Sequence, residues 1–376
     1  MWTILFLVAS CLVIEAIQPF RFVTETKYLP LRKNPAVSKL SNFFGSAECP
    51  EVLVMGCSLP MTAIATYDER YARSLRASDE NQLRTYTRAR YLEYLLQHIS
   101  GSKRTQEIFN LTCVACMVSD ANSLLLKVLE TKTPQPKLII YGVGPRSFVD
   151  NTIGQKTHIE QLLDTCKTSS DIADPKMSWS QRGELFISSL WKFYADRSDY
   201  RAFITSLFSD IVDRSPTVYA ANQRAIAEKA QDTEFLSSSN LQSSSGSKRR
   251  VGGSKLELDL ALYNARYNPP NFTMFEAQKT KFDQFTKLCR EKKINLLVVS
   301  MPITEQNRKL LDSRLLNAYS TEVRRLSLMN GAAFLDLTDD TTFTIADFED
   351  SVHTNARGGK KVQDRIAAAL ADQDWL

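Results

Sequence analysis

The chain has 376 residues, 43% of them hydrophobic, enough to bury a sizeable core as one large domain with an insertion or as two modest ones. Its 47 basic and 42 acidic residues give a net charge of +5, and apart from Lys248, Arg249 and Arg250 the basic residues are dispersed. Nucleic-acid binding needs a concentrated basic face, which excludes that class of partner, and 7 irregularly spaced cysteines exclude a disulfide framework.

The first apolar stretch, Trp2–Ile14, is followed by Glu15 and then by Arg21, Lys27, Arg32 and Lys33. It is short for a membrane-spanning helix, which needs about 20 residues, and close to the length of a signal-peptide core. Residues 1–20 are therefore expected to form an N-terminal anchor or export signal, with the rest of the chain on the extracytoplasmic side. The positive-inside rule applied to the downstream charges points the other way.

Apolar runs then alternate with helical patterns. Strands are predicted at Glu51–Met55, Ile108–Leu111, Lys137–Tyr141, Ile294–Ser300 and Ala333–Leu337. Between the first two, Leu92, Leu95, Leu96 and Ile99 recur at one-face helical spacing. Leu124, Leu125, Val128 and Leu129 do the same before the third strand, with Ser119 or Asp120 as N-cap. A helix over Phe275–Glu291 leads into the fourth strand, and a last one runs from about Gly359 to Leu370 with Val362, Ile366 and Leu370 on its stripe. This alternation predicts an α/β fold with parallel strands and crossover helices, a domain covering residues 45–376.

Residues 151–275 interrupt the alternation. Their first part is aromatic-rich and helical in pattern, fit to fold over the carboxyl edge of the sheet as a cap. Ser237–Ser254 is too rich in Ser and Gly to bury much surface and is expected to be a mobile loop. Cys113 and Cys116 form a lone CxxC between a strand and a helix, without enough neighbouring ligands for a metal. They read as two small buried residues, and neither metal nor cofactor is expected.

Two stretches carry chemistry. In "VLVMGCSLPM" a serine, Ser58, follows an apolar run and a glycine, the arrangement that exposes a nucleophile at a strand-to-helix turn and also the way ordinary helices begin. In "DFEDSVHTNARGG" Asp350 and His353 stand three apart on a loop before the final helix. An Asp so placed can fix one imidazole nitrogen as a donor while the other accepts a hydroxyl proton. The bland alternative is a surface histidine before a helix capped by Asn355.

Taken together, Gly56-Cys57-Ser58-Leu59 and Asp350-Ser351-Val352-His353 resemble the first and last blocks of the SGNH/GDSL hydrolase superfamily. The resemblance implies a flavodoxin-like three-layer sandwich with a five-stranded parallel sheet and a large helical insertion, and a triad of Ser58, His353 and Asp350. The middle blocks depart from the pattern. Typical members carry a Gly after the second strand and an Asn after the third as oxyanion donors; here the second loop has no Gly, and Arg146 or Asn151 falls near the expected Asn. Arg146 is thus a candidate for oxyanion or substrate binding, or a structural arginine on the Pro145 turn. Cys57, where the family often has Asp, is expected to pack and not to attack.

The loop "GVGPRSF", the N-terminal segment and the insertion look like the acyltransferase-associated branch, similar to the D-alanylation protein of lipoteichoic acid synthesis and the alginate acetylation proteins. That branch implies an extracytoplasmic serine esterase or O-acyltransferase. It would move acyl groups, acetyl among them, on cell-surface or exported polysaccharide, beside a membrane-bound O-acyltransferase. A hydrolysis-only carbohydrate esterase and a catalytically silent polysaccharide-binding or assembly protein are the alternatives.

Overall fold

In the computed structural model the described residues are 35–46, 48–72, 80–100, 107–152, 252–373 and 375, all within the unit formed by Pro35–Cys166 and Arg250–Leu376. The expected anchor over 1–20 and most of the expected insertion lie outside them. Among the described residues no helix is long and apolar enough to cross a membrane.

The chain enters through helix α1 (Pro35–Gly45) and strand β1 (Val52–Gly56), then α2 (Ser58–Ala72), the short α3 (Glu80–Thr85), α4 (Arg90–Ser100) and β2 (Ile108–Asn110). Helix α5 (Val118–Thr131) leads to β3 (Leu138–Val143) and a 3₁₀ turn, Pro145–Ser147. After residues 153–251 come α6 (Gly252–Tyr267), α7 (Phe272–Glu291), β4 (Asn295–Ser300), the single turn α8 (Glu305–Arg308), α9 (Ser313–Met329), β5 (Ala333–Asp336), a 3₁₀ turn at Ile345–Asp347 and α10 (Ala356–Ala371).

The five strands are all parallel, in the order β2-β1-β3-β4-β5. Helices α2, α4 and α10 pack together on one side, and α5, α7 and α9 on the other, so the architecture is an α/β sandwich of three layers. Every residue of β1 and β3 is buried, as expected of strands covered on both faces, whereas β5 at the sheet edge is half-exposed. The core is apolar and aromatic, with Tyr141 stacked on Phe285 and Phe148 edge-on to Tyr319.

Strand order reverses between β1 and β3, and in open parallel sheets ligands bind outside the carboxyl ends of the strands at such a switch point. Gly56 makes the turn there possible. Its φ is +133°, and a Cβ would stand 2.2 Å from the Gly142 carbonyl oxygen and 2.9 Å from Pro60. Only glycine lets β1 and β3 end this close, so the next residues, Cys57 and Ser58, sit directly over the sheet edge.

Strand boundaries differ from expectation by one or two residues. The cap of α5 differs in kind. Met117 is the N-cap, and Asp120 lies one turn inside the helix with its carboxylate accepting the Met117 N–H at 2.8 Å, so neither Ser119 nor Asp120 caps it. Helix α7 starts three residues before Phe275 because the Asn271 side chain accepts the Met274 N–H. Gly252–Ser254, placed by composition in the Ser/Gly loop, begin α6 instead. Helices α1, α3, α6, α8 and α9 are not among the expected elements.

Candidate active site

Ser58 is the first residue of α2, nearly buried, with its hydroxyl oxygen 2.9 Å from His353 Nε2. His353 Nδ1 lies 2.7 Å from Asp350 Oδ2, and the other carboxylate oxygen, Oδ1, accepts the backbone N–H groups of Val352 at 2.9 Å and His353 at 2.7 Å. Residues 295 positions apart thus form one hydrogen-bonded line. Burial pushes the Asp350 carboxyl up, but the hydrogen bond and charge of His353 and the two backbone donors outweigh it, so its pKa lies below the ordinary value.

The loop carrying Asp350 and His353 is braced from several sides. Phe348 and Thr354 form a β-bridge, and the Glu349 N–H reaches the His353 carbonyl at 2.8 Å. Ser351 is buried: its N–H donates to Asp259 Oδ2 at 3.0 Å, its carbonyl accepts the Thr304 hydroxyl at 2.7 Å, and its hydroxyl accepts from Asn307 Nδ2 at 3.0 Å. Tyr267 donates in turn to Asn307 Oδ1 at 3.2 Å. Asn355 caps α10, so the capping role foreseen for it and the pairing of His353 occur together.

Cys57 is buried beside Ser58, and no hydrogen bond joins it to His353. The loop after β2 packs onto the same turn, with the Cys113 N–H donating to the Gly56 carbonyl at 2.9 Å. It contains no glycine, yet Ala115 has φ +60°, the left-handed conformation a glycine would supply. Cys113 and Cys116 are buried free thiols, and burial pushes the Cys116 thiol well up, so it is held as the neutral S–H. Lys39 Nζ, fully buried, donates to the Thr112 carbonyl at 3.0 Å.

Arg146 and Asn151 are placed differently from Ser58, His353 and Asp350. Arg146 Nε donates to Asp150 Oδ2 at 2.8 Å, and no hydrogen bond joins it to Ser58 or His353. Asn151 Nδ2 donates to the Pro269 carbonyl at 2.8 Å and its Oδ1 accepts from Asn271 at 3.0 Å, so its amide braces the α6–α7 turn. No hydrogen bond joins Asn151 to Ser58 or His353.

Helix α6 brings three residues that were not singled out in the sequence. Asp259 holds Ser351; Tyr263 is buried; the Arg266 guanidinium lies 4.8 Å from the Tyr263 ring centre and its Nε 3.7 Å from Asp150. Their spacing, i, i+4 and i+7, puts them on one helical face, and that spacing is the signal that could have found them. Among the described residues no group of three His, Cys, Asp or Glu is placed to hold a metal ion.

A family model described as "Protein of unknown function (DUF1574)" matches residues 86–359, a span that includes Arg146, Asp350 and His353 and begins after Ser58. A comparison with curated proteins gave no match.

Proposed function

The chain belongs to this DUF1574 family, and from the geometry of its site we propose that it is an SGNH-type serine esterase or O-acyltransferase acting through an acyl-serine intermediate. The observation that carries the reading is the unbroken line Ser58–His353–Asp350 at the carboxyl edge of a parallel sheet. His353 Nε2 takes the Ser58 proton as the hydroxyl oxygen attacks the ester carbonyl. Asp350 Oδ2, accepting from Nδ1, fixes the tautomer in which Nε2 is the base, and stabilises the imidazolium that forms.

Negative charge then develops on the carbonyl oxygen in front of the first turn of α2, where the Ser58 N–H and the positive end of a 15-residue helix favour it. Collapse of the tetrahedral intermediate expels the alcohol, which receives the proton from His353 Nε2 and leaves acyl-Ser58. A water molecule or a carbohydrate hydroxyl, deprotonated by the same nitrogen, takes the acyl group and restores the serine. The resemblance to envelope acylation proteins supports an acylated cell-surface or exported polysaccharide as substrate, a membrane-bound O-acyltransferase as partner, and an extracytoplasmic site of action. A second reading, a silent polysaccharide-binding protein, draws on the bracing role of Asn151 and the Arg146–Asp150 pair, which leave the oxyanion to backbone donors.

The test is a fluorophosphonate probe followed by peptide mapping, with p-nitrophenyl acetate as a neutral ester. Stoichiometric labelling at Ser58 is expected, with turnover lost by about 10³-fold or more in Ser58→Ala. Labelling elsewhere, or none of the folded chain, overturns the reading in favour of the silent protein.

A further inference from the structure

The geometry points to an anion-binding subsite beside Ser58, formed by Arg146 and Arg266 around Asp150 with the Tyr263 hydroxyl as a further donor, which takes a carboxylate or phosphate group of the polymer being acylated or deacylated. This rests on the triad reading for what happens to the bound polymer, though not for the binding itself.

The charge count is the first observation. Asp150 has a fully buried side chain, and its Oδ2 faces both guanidinium groups, Arg146 Nε at 2.8 Å and Arg266 Nε at 3.7 Å. Its Oδ1 is taken by the Thr152 N–H at 3.0 Å and the Thr152 hydroxyl at 2.5 Å. Two guanidinium groups therefore face one carboxylate, and the three side chains together carry a net positive charge.

Orientation is the second. Both arginines approach Asp150 through Nε, so neither terminal pair of N–H groups, the fork that fits a carboxylate or phosphate in bidentate fashion, has an acceptor among the described residues. The side chains are 14% and 25% exposed, covered enough to be held in place and open enough to be reached.

Position is the third. Tyr263 is 3% exposed, and its hydroxyl makes no hydrogen bond among the described residues. The Tyr263 ring lies 4.8 Å from the Arg266 guanidinium, on the helix whose Asp259 accepts the Ser351 N–H of the triad loop at 3.0 Å. The turn that carries Arg146 packs on the start of α2, where a Cβ on Gly144 would lie 2.6 Å from the Leu59 side chain. One face of α6 thus runs from Asp259, which holds the loop of Asp350, to Arg266, a rise of about 10 Å.

The experiment is calorimetric titration of the full chain with three unacylated oligomers of matched length: an oligouronate, a polyol phosphate and a neutral xylo-oligosaccharide. One anionic oligomer is expected to bind, with the neutral one at least about tenfold weaker, and the binding to weaken with added salt. Preference for the uronate assigns a carboxylate, preference for the polyol phosphate a phosphate. Arg266→Gln is expected to lower the anionic affinity about tenfold. If that variant fails to fold, Arg266→Lys, which keeps the charge and loses the fork, is expected to show a smaller loss. Equal affinity for neutral and anionic oligomers, or no anionic binding, overturns the subsite. Anion binding by a chain whose Ser58 the fluorophosphonate probe does not label leaves the subsite standing and removes the catalytic reading.

Discussion

Asp350 divides its two oxygens between different tasks, and this makes its isosteric substitution informative. Oδ1 accepts two backbone N–H groups and shapes the loop, while Oδ2 faces His353 Nδ1 alone. In Asp350→Asn the amide oxygen keeps the backbone contacts, but the amide NH₂ then faces Nδ1 and forces the tautomer whose Nε2 carries a proton, which cannot accept one from Ser58. Turnover of p-nitrophenyl acetate should fall by roughly 10³–10⁴-fold with the melting temperature little changed; retained turnover would remove Asp350 from the mechanism. Cys57→Ala, which touches neither His353 nitrogen, should keep fluorophosphonate labelling at Ser58, and labelling that vanished with Cys57 would reverse the two roles. At this scale Ser58, Asp350 and His353 are legible because residue type and close spacing, three positions for the acid and base, define their chemistry locally. Arg146 was only half legible. The charge was evident, but its pairing with Asp150 depends on a 3₁₀ turn that brings the carboxylate back under Nε, and the i, i+4 spacing rule applies to helices and not to such a turn.

Two helices set the distance between nucleophile and base. Helix α2 carries Ser58 at its first residue, α10 begins three residues after His353, and they meet where Gly359 packs against the α2 backbone. A Cβ on Gly359 would lie 2.3 Å from the Ala63 carbonyl oxygen, and the neighbouring Gln363 Nε2 donates to that same oxygen at 3.1 Å. Gly359→Ala must push the helices apart, at a cost of about 1–3 kcal/mol in stability. Because the Ser58–His353 contact spans the same pair, labelling of Ser58 should slow in step; a variant destabilised by this amount yet labelled at the wild-type rate would show that the triad loop, and not the helix pair, sets the geometry. Strands and the helices α4, α5, α7 and α10 were legible from their apolar runs and stripes, whereas their ends were not. Asp120 looks like a cap and acts from inside the first turn of α5, and Asn271 extends α7 beyond its apolar stripe. Helix α9 escaped because its buried positions, Leu315, Tyr319, Val323 and Leu326, are interleaved with Arg, Ser and Asn on a solvent-facing side that dilutes the pattern.

For the molecule as a whole, strand order is a property of long-range pairing that no local run encodes and it was not foreseen, while parallel alternation came from the residues themselves. Buried charges are likewise global, and they give the fold opposite responses at the two ends of the pH scale. Asp347, with a fully covered side chain, accepts from Arg357 at 2.6 Å and Lys361 at 2.8 Å, and these bonds together with Thr344 outweigh the effect of burial and hold its carboxyl well below the usual carboxylate range. Its stabilising contribution is complete above the ordinary carboxylate pKa and is lost as pH falls below it. Lys39 works in the other direction. Burial, only partly offset by the nearby Cys113, lowers its pKa from 10.5 to about 8, and among the described residues its ammonium has the Thr112 carbonyl and hydroxyl as acceptors and no carboxylate. Between about 8 and 10.5 the unfolded chain holds a proton on Lys39 that the folded chain has released, so stability should rise with pH across that window, by up to about 1.4 kcal/mol per pH unit. The buried phenols of Tyr141, Tyr267 and Tyr319, all pushed up by burial, oppose the trend once unfolded tyrosines ionise near 10, which confines the useful range to its lower half. Denaturant unfolding of wild type and Lys39→Met between pH 7.5 and 9.5 should show the wild type gaining stability relative to the variant, which exceeds it at the acid end, while the buried thiols of Cys116 and Cys289, pushed up by burial, lower both curves alike as pH rises. Parallel curves would mean that Lys39 titrates alike in the folded and unfolded chain and that α1 does not bury a charge against the loop beside Ser58.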